Sequence, residues 1–260
     1  MSTPILECRG VSKRFGSLAA VDDITLVVEQ GARHAVIGPN GAGKSTLFNL
    51  VAGTMAPTSG SIVFAGSDVT RQSDARRSRA GLAKTFQHSS LFLSLSVADN
   101  VAMAAQRVSG DGMRLRRSAR KCPGVDDAVE RCLSQTGLAS RARDRVSELS
   151  HGERRQLEVA VALATEPVLL LLDEPTAGMS AAESASFAAL VESLPHEVSV
   201  LLIEHDLDVV FRLATRISVL HLGRLLADGD PETIRNDEQV QQAYLGSGTT
   251  EELFFPAVGA

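Results

Sequence analysis

A glycine-rich run that ends in a lysine and two hydroxyl residues points to phosphate chemistry. Residues 38–46 read Gly-Pro-Asn-Gly-Ala-Gly-Lys-Ser-Thr, which fits the phosphate-binding pattern Gly-x-x-x-x-Gly-Lys-Ser/Thr. The glycines allow a tight turn in which successive backbone N–H groups point at phosphate oxygens. The run follows an apolar segment, His34–Ile37, and leads into a predicted helix, Lys44–Ala52, whose N-terminal dipole favours an anion. Lys44 adds a charge for the outer phosphates and Ser45 a hydroxyl for Mg²⁺, so we expect this chain to bind a nucleotide.

Two adjacent carboxylates follow a second apolar segment. Asp173 and Glu174 come directly after Val168–Leu172. Ligands of parallel sheets gather at the carboxyl ends of strands. Neighbouring strand residues point to opposite sides, so we expect the two carboxylates to have different tasks. Asp173 is the natural partner of Mg²⁺ together with Ser45, and Glu174 can reach an attacking water as general base.

A third apolar segment, Val198–Ile203, ends in Glu204-His205-Asp206. The same strand-end rule predicts that His205 faces the terminal phosphate, where an imidazole can hydrogen-bond the phosphate and orient Glu174 or water. Taken alone, a histidine at a strand end is more often structural. Its position in an ordered set of such elements favours the catalytic interpretation.

The segment Leu149-Ser-His-Gly-Glu153 precedes a predicted amphipathic helix, Arg154–Thr165, and supports two interpretations. Ser150 with Glu153 three residues later forms a capping box. The same helix N-terminus, with a serine hydroxyl and with Gly152 allowing close approach, is also an anion site, which need not serve its own nucleotide. Both interpretations can hold together.

Gln87 and Phe15 are weaker candidates from spacing alone. Gln87, in Lys84-Thr-Phe-Gln-His88, is a lone polar residue that could coordinate Mg²⁺ or the water. Phe15 could stack on a base, since aromatic faces accept any purine, or it could be a core aromatic.

Composition limits the class of function. The chain has 260 residues, which is enough for one large α/β domain or for one domain with a subdomain. Its net charge of −5 argues weakly against a protein that coats nucleic acid. Its three cysteines lack metal-ligand spacing, as is typical of reduced thiols in a cytosolic protein. The first residues lack the basic and apolar segments of a secretion signal. The apolar runs are too short to cross a bilayer, so any membrane role is expected to be peripheral.

Strand-like segments fall into two groups along the chain. The early group predicts an N-terminal antiparallel sheet leading into the phosphate loop, and it comprises Ile5–Cys8, Ile24–Val28, Arg33–Ile37 and Ser61–Phe64. The late group comprises Val168–Leu172 and Val198–Ile203, which predict buried parallel strands, and Ile217–Leu220. Residues 97–149 are helical in character, and Ser96-Val-Ala-Asp99 resembles a capping box. The long separation of Lys44 from Asp173 therefore predicts an inserted helical subdomain.

Two further segments complete the sequence. A basic cluster comprises Arg114, Arg116, Arg117, Arg120 and Lys121. It is either a solvated helix face or a contact with anionic lipid or a membrane partner. The tail from Gly246 onward is small, polar and aperiodic, so we expect it to be disordered.

The motifs, in their order along the chain, resemble those of the ATP-binding subunit of ABC transporters. The resemblance covers nearly all of the chain from Ile5 to Gly246. Phe15 matches the adenine-stacking aromatic, Gly38–Ser45 the Walker A loop and Gln87 the Q-loop glutamine. Residues 149–153 match the family signature, usually written LSGGQ. Leu169–Asp173 with Glu174 matches the Walker B strand and base, and His205 the switch histidine.

This resemblance implies a fold, a set of cofactors and a set of site residues. The implied fold is α/β, with a P-loop NTPase (RecA-like) core, an N-terminal antiparallel β subdomain and a helical subdomain inserted at roughly 97–155. A single domain would span 1–246, followed by the tail at 247–260. The implied cofactors are ATP and Mg²⁺. The implied nucleotide contacts are Phe15, Asn40, Gly41, Gly43, Lys44, Ser45, Thr46, Ser150 and Gly152. The implied catalytic residues are Glu174, His205 and Gln87. The implied metal ligands are Ser45, Gln87 and Asp173.

Two positions depart from the family pattern. His151 replaces a glycine of the signature, while Ser150 and Gly152 remain. The loop Ala177-Gly-Met-Ser180 lacks the usual aspartate, which puts communication between two sites across a dimer in question.

A finer resemblance is to the larger ATPase subunit of branched-chain amino-acid importers. It is carried by Thr85-Phe-Gln-His88, Ser150-His-Gly-Glu153, Ala177-Gly-Met-Ser180, Leu202-Ile-Glu-His-Asp206 and Ala243-Tyr-Leu-Gly246. It implies a second ATPase subunit, identical or not, and integral membrane permease subunits that are fed by a periplasmic solute-binding protein. The chain would then lie at the cytoplasmic face of the inner membrane and couple ATP-driven dimer closure to solute import.

Other functions within the same family remain as alternatives. Close relatives of that subunit serve urea or amides, or export lipopolysaccharide. Soluble ABC-type ATPases that act on DNA or ribosomes carry long coiled-coil insertions or two cassettes in one chain. Here there is one cassette without a sustained heptad pattern, so we expect transport and no nucleic-acid partner.

Overall fold

The structure is a computed structural model that describes residues 3–85, 91–108 and 124–245. Its strands are β1 (Pro4–Phe15), β2 (Leu18–Glu29), β3 (Arg33–Ile37), β4 (Ser59–Phe64), β5 (Ser67–Asp68), β6 (Leu82–Lys84), β7 (Leu169–Asp173), β8 (Ser199–Ile203), β9 (Arg216–His221) and β10 (Arg224–Gly229). Its helices are α1 (Lys44–Ala52), α2 (Asp74–Arg79), α3 (Val97–Val108), α4 (Val125–Gln135), α5 (His151–Leu163), α6 (Ala181–Glu192), α7 (Leu207–Leu213), α8 (Pro231–Arg235) and α9 (Glu238–Leu245).

The strands form two sheets. The first is antiparallel, in the order β2-β1-β4-β5, and the second has the order β10-β9-β3-β8-β7-β6. In the second sheet β9, β3, β8, β7 and β6 run parallel to their neighbours, while β10 pairs antiparallel with β9. The predicted N-terminal antiparallel sheet is therefore present. The assignment of Arg33–Ile37 to the same early group is wrong, because β3 lies in the middle of the parallel sheet.

The parallel sheet is buried on both faces, since successive residues of its strands enter different cores. Leu169 and Leu171 of β7 pack with the first sheet and α1. Leu170 and Leu172 pack on the opposite side with the helices that follow. All five residues of β3, β7 and β8 are buried. Strands covered on both faces require continuous apolar runs, which explains why β7 and β8 could be predicted as buried parallel strands from sequence. In β3 the polar residues Arg33 and His34 interrupt this pattern.

Side-chain caps set where several helices begin. Ser150 and Ser180 form capping boxes with Glu153 and Glu183 at the starts of α5 and α6. Ser96 and Asp99 hydrogen-bond each other at the start of α3, as predicted. The predicted start of the signature helix at Arg154 is wrong, because α5 begins at His151, directly after its cap.

Arg77 joins α1 to the segment that precedes β6. Its guanidinium is fully buried and donates to the carbonyls of Leu50 and Val51 at 2.7 Å each, and to that of Val69 at 2.7 Å. The last carbonyls of a helix have no partner within the helix and carry its negative dipole end. Arg77 therefore closes the C-terminal end of the helix that begins with Lys44.

Several predicted features lie outside the described residues. These are Gln87, the basic cluster between Arg114 and Lys121, and the tail after Gly246. Within the described ranges, no helix has the length and apolar character needed to cross a bilayer.

Candidate nucleotide-binding site

The topology brings three loops to one edge of the parallel sheet. β8 lies between β3 and β7, and all three run in the same direction. The glycine-rich loop follows β3, Glu174 follows β7 and His205 follows β8. The strand-end argument therefore correctly predicts that these segments are neighbours.

The glycine-rich loop is pressed against the strands around it. A Cβ atom on Gly38 would lie 2.1 Å from the carbonyl oxygen of Leu220, and one on Gly43 would lie 2.4 Å from that of Ala20. Both residues also have a positive φ, 148° and 101°. Only glycine fits these positions, because any side chain would collide with backbone atoms and strain the dihedral angles.

The loop leads directly into α1. Among the described residues, no side chain caps the N-terminus of this helix at Gly43. The first backbone N–H groups of α1 and the positive end of its dipole thus face the loop, an arrangement suited to an anion.

Lys44 is buried and folds back over the loop. Its ammonium donates hydrogen bonds to the carbonyl oxygens of Gly38 at 2.6 Å and Pro39 at 3.0 Å. Burial lowers the pKa of Lys44, and the nearby Glu174 carboxylate opposes this shift. A partly desolvated cation held at this position interacts strongly with an added anion, because the local dielectric constant is low.

A cleft of about 500 Å³ opens over this loop. Its walls come from the loop and α1, the start of β2, the β9–β10 turn and Glu174. The lining residues are Leu18, Ala19, Ala20, Asn40, Gly41, Ala42, Gly43, Lys44, Ser45, Thr46, Glu174, Leu222 and Gly223. The six residues of the glycine-rich run that we expect to contact the nucleotide all line this cleft.

Asp173 lies at the end of β7 and has an unsatisfied oxygen. The residue is 5% exposed, and its Oδ1 atom has no hydrogen-bond partner within the part of the chain that the structure describes. Burial raises the pKa of Asp173, and the charge of Lys84 partly offsets this. A buried, unpaired carboxylate oxygen is suited to a divalent cation, since Mg²⁺ prefers carboxylate oxygens. The residues present therefore fit the expected metal.

Glu174 has a strained backbone that directs it into the cleft. Its φ is +45°, a left-handed value that non-glycine residues adopt only where the surroundings enforce it. The Glu174 N–H donates to the carbonyl of Ile203 at 2.9 Å, and its carbonyl accepts from the Ala177 N–H at 3.2 Å. The position predicted for the general base is thus fixed by neighbouring backbone.

His205 and Phe15 are not among the residues that line the cleft. The His205 side chain is 62% exposed, and its Nδ1 lies 3.7 Å from Oε2 of Glu204. Phe15 ends β1 and is 48% exposed, which excludes the core alternative. Phe15 pairs with Leu18, whose strand supplies part of the cleft wall.

Ser150 and Gly152 lie at a second pocket. They line it together with Glu153, Gln156, Met179, Ala182, Glu183, Ser186 and Phe187. The Ser150 hydroxyl accepts from the Glu153 N–H, and the Ser150 N–H donates to the Glu153 carboxylate. The capping-box interpretation is therefore confirmed. This pocket shares no lining residue with the cleft at Lys44.

His151, which replaces a glycine of the family signature, contacts a neighbouring loop. The His151 Nε2 atom lies 3.2 Å from the carbonyl oxygen of Ala177, in the loop that follows Glu174. The side chain that replaces a glycine thus contacts the loop that lacks the usual aspartate.

Glu204 contacts the loop that carries Glu174, and the sequence does not single it out. Its side chain is fully buried and hydrogen-bonds Thr176, which lies two residues after Glu174. The available signal was a charged residue directly after the apolar run that ends at Ile203. The strand-end rule applied there predicts a role for His205 and none for Glu204.

Comparison with known families agrees with this geometry. The sequence matches the profile of the ABC transporter family over residues 21–177, more than half of the chain. The chain belongs to the ABC transporter family. It is an ATPase subunit of that family and has its P-loop NTPase fold. A second profile, that of the branched-chain amino acid ATP-binding cassette transporter, matches residues 224–249.

This ABC ATPase is similar to curated proteins and to solved structures along nearly its whole length. It is 36% identical over 253 residues to the high-affinity branched-chain amino acid transport ATP-binding protein LivG of Salmonella typhimurium, covering 95% of this chain and 99% of that protein. It is 37% identical over 256 residues to the corresponding protein BraF of Pseudomonas aeruginosa, covering 95% and 99%. The ADP conformation of MJ1267, an ATP-binding cassette of an ABC transporter, superposes with a TM-score of 0.84 at 26% identity, covering 94% of this chain and 100% of that one.

Proposed function

We propose that this chain is the ATP-binding and hydrolysing subunit of an importer for branched-chain amino acids. The observation that carries the solute assignment is the combination of two likenesses. One is the similarity to LivG and BraF along nearly the whole chain, and the other is the match at residues 224–249 to the branched-chain family profile. The cleft between the glycine-rich loop and Glu174 supports the ATPase assignment.

In this proposal the residues of the nucleotide site have different tasks in ATP binding and hydrolysis. The loop N–H groups and Lys44 bind the β- and γ-phosphates, while Phe15 stacks on the adenine. Ser45, Asp173 and Gln87 would hold Mg²⁺, which supplies charge neutralisation for the phosphate oxygens. Glu174 positions and deprotonates the attacking water.

His205 completes the proposed catalytic group. Its exposed imidazole can donate to a γ-phosphate oxygen at the same sheet edge and orient Glu174 or the water. Hydrolysis then removes the γ-phosphate contacts that hold the site closed.

The second pocket supports a two-chain site. Ser150 and Gly152 lie away from Lys44 within one chain, so we propose that they contact the γ-phosphate held by a second ATPase subunit. ATP would then bridge two subunits, identical or not, and its hydrolysis would let them separate.

This two-chain arrangement can be tested by complementation if the active unit includes a homodimer. A Ser150→Ala subunit mixed with a Lys44→Ala subunit gives one composite site with both defects and one with neither. Partial ATPase activity should therefore return in the mixture. If mixed dimers form and the mixture is as inactive as either parent, the assignment of Ser150 to the partner's nucleotide is wrong.

The remaining partners follow from the same proposal. The subunit would bind integral membrane permease subunits at the cytoplasmic face of the inner membrane, and a periplasmic solute-binding protein would deliver the amino acid. Residues 97–155 would form the helical subdomain of a single ATPase domain spanning 1–246. Nucleic acid is not a proposed partner.

Solute uptake separates the proposed function from its alternatives. The assembled complex in proteoliposomes, supplied with the solute-binding protein and internal ATP, should accumulate labelled leucine, and unlabelled isoleucine and valine should compete. The Lys44→Ala complex is the control for ATP dependence. Uptake of urea or amides without leucine uptake would contradict the proposal, and so would export in place of import.

A further inference from the structure

The Glu204 carboxylate connects two loops of the nucleotide site. It is 0% exposed and lies directly after β8. Its Oε1 atom accepts hydrogen bonds from the Thr176 N–H at 2.9 Å and from the Thr176 hydroxyl at 2.6 Å. Its Oε2 atom accepts from the N–H groups of His205 at 3.0 Å and Asp206 at 3.4 Å. One side chain thus holds the loop after β7 and the loop after β8 together.

The chemistry of this contact suits a carboxylate and no other side chain of similar size. Four donors converge on two oxygens, and an ionised carboxylate only accepts hydrogen bonds. A buried carboxylate is unfavourable unless such donors compensate for lost hydration. A glutamine would turn its NH₂ group towards N–H donors whichever way its amide is oriented. The position therefore demands a charged acceptor.

The Thr176 side of this contact acts on a strained turn. Glu174, with its positive φ, lies two residues before Thr176. A non-glycine residue in the left-handed region is strained and persists only when several contacts hold it. The two bonds from Thr176 to Glu204 add to the backbone bonds that Glu174 makes with Ile203 and Ala177. Without Glu204 the turn can relax, and the Glu174 carboxylate would move.

We propose that Glu204 is a positioning residue for ATP hydrolysis. It fixes the turn that carries Glu174 against the strand end that carries His205, so that the base and the histidine keep one mutual geometry at the γ-phosphate. The inference rests on the proposed roles of Glu174 and His205. Positioning errors near 1 Å can lower a rate by about a hundredfold, so a measurable loss of turnover is expected.

Three substitutions test this inference in the assembled complex. Glu204→Gln replaces the acceptor at constant size, Thr176→Val removes one donor at constant size, and Thr176→Ser keeps the hydroxyl. Glu197→Gln, at an exposed position before β8, is the matched control. We expect Glu204→Gln to lower kcat about tenfold or more while the ATP Kd changes by less than about twofold. Thr176→Val should lower kcat less than this, and Thr176→Ser and Glu197→Gln should both resemble the wild type.

The Glu174→Gln background separates positioning from general stability. If Glu204 acts through Glu174, adding Glu204→Gln to Glu174→Gln should lower the residual kcat by less than about threefold. An equal factor in both backgrounds, or a lowered melting temperature with unchanged kcat, overturns the positioning role. Wild-type turnover of Glu174→Gln alone would instead refute the proposed base. If the Glu174→Gln single variant is inactive and the Glu204→Gln single variant is fully active, the positioning role of Glu204 is refuted and the proposed base is not.

Discussion

His34 should make the stability of this protein depend on pH in the mildly acidic range. Its imidazole is fully buried on β3, directly before the glycine-rich loop. Its Nε2 lies 2.8 Å from the hydroxyl of Ser218, which donates to Asp228, and Asp228 pairs with Arg216. The Nδ1 atom has no hydrogen-bond partner among the described residues. Protonation would therefore bury a charge and an unpaired N–H together.

The size of this effect follows from the pKa. Burial lowers the pKa of His34 from 6.5 to about 4, Asp228 opposes the shift, and Arg216 adds to it. Between these values the unfolded chain binds a proton that the folded chain does not, so stability is lost as pH falls from 6.5 towards 4. The limit is about 3 kcal/mol, and the loss at pH 5 relative to pH 7.5 is about 2 kcal/mol.

Urea unfolding at pH 7.5, 6.5, 5.5 and 5.0 measures this contribution. The slope of unfolding free energy against pH in the wild type should exceed that of His34→Gln, which has no imidazole to titrate at this position. His196→Gln, at an exposed histidine, should keep the wild-type slope. Identical slopes for the wild type and His34→Gln would refute the argument, even if that substitution lowers stability at every pH.

Three further substitutions test other parts of the structure. Lys44→Ala should weaken ATP binding at least about tenfold in an equilibrium titration, because it removes the cation at the loop; an unchanged Kd would contradict the site. Glu174→Gln should slow hydrolysis about a hundredfold while ATP still binds, so a dimer should accumulate with ATP and Mg²⁺ on size exclusion. Arg77→Met should cost about 3 kcal/mol in chemical unfolding, since it leaves buried carbonyls unpaired, whereas Arg76→Met at an exposed position should stay within about 0.5 kcal/mol. Equal effects at the two arginines would contradict the buried role of Arg77.

The parts of the fold that could be predicted are those where local sequence and tertiary position agree. β7 and β8 are buried on both faces, so their apolar runs mark them as parallel strands. Ser150 and Glu153 form their capping box within four residues, which needs no long-range information. The order of the motifs then specified the family, because several short patterns occur in the expected sequence.

The parts that escaped prediction depend on contacts between distant segments. Strand β6 has three residues and β10 is a half-buried edge strand, so neither has a distinctive pattern. Glu204 gains its role from Thr176, and the His151 ring contacts Ala177 across the fold. The sequence around Glu204 or His151 does not show which distant residue each one contacts, so the pairing itself carries no local signal. The sequence likewise does not show that Ser150 lies at a different pocket from Lys44, because this depends on how the chain folds.

ATPase activity of the assembled complex, with and without a leucine-loaded solute-binding protein, tests the central claim most directly. The wild-type rate should rise when the loaded binding protein is added. The Glu174→Gln complex should bind ATP but show little turnover under either condition. Turnover that ignores the loaded binding protein, or that survives Glu174→Gln at the wild-type rate, would contradict the account of this chain as the ATPase subunit of a branched-chain amino-acid importer.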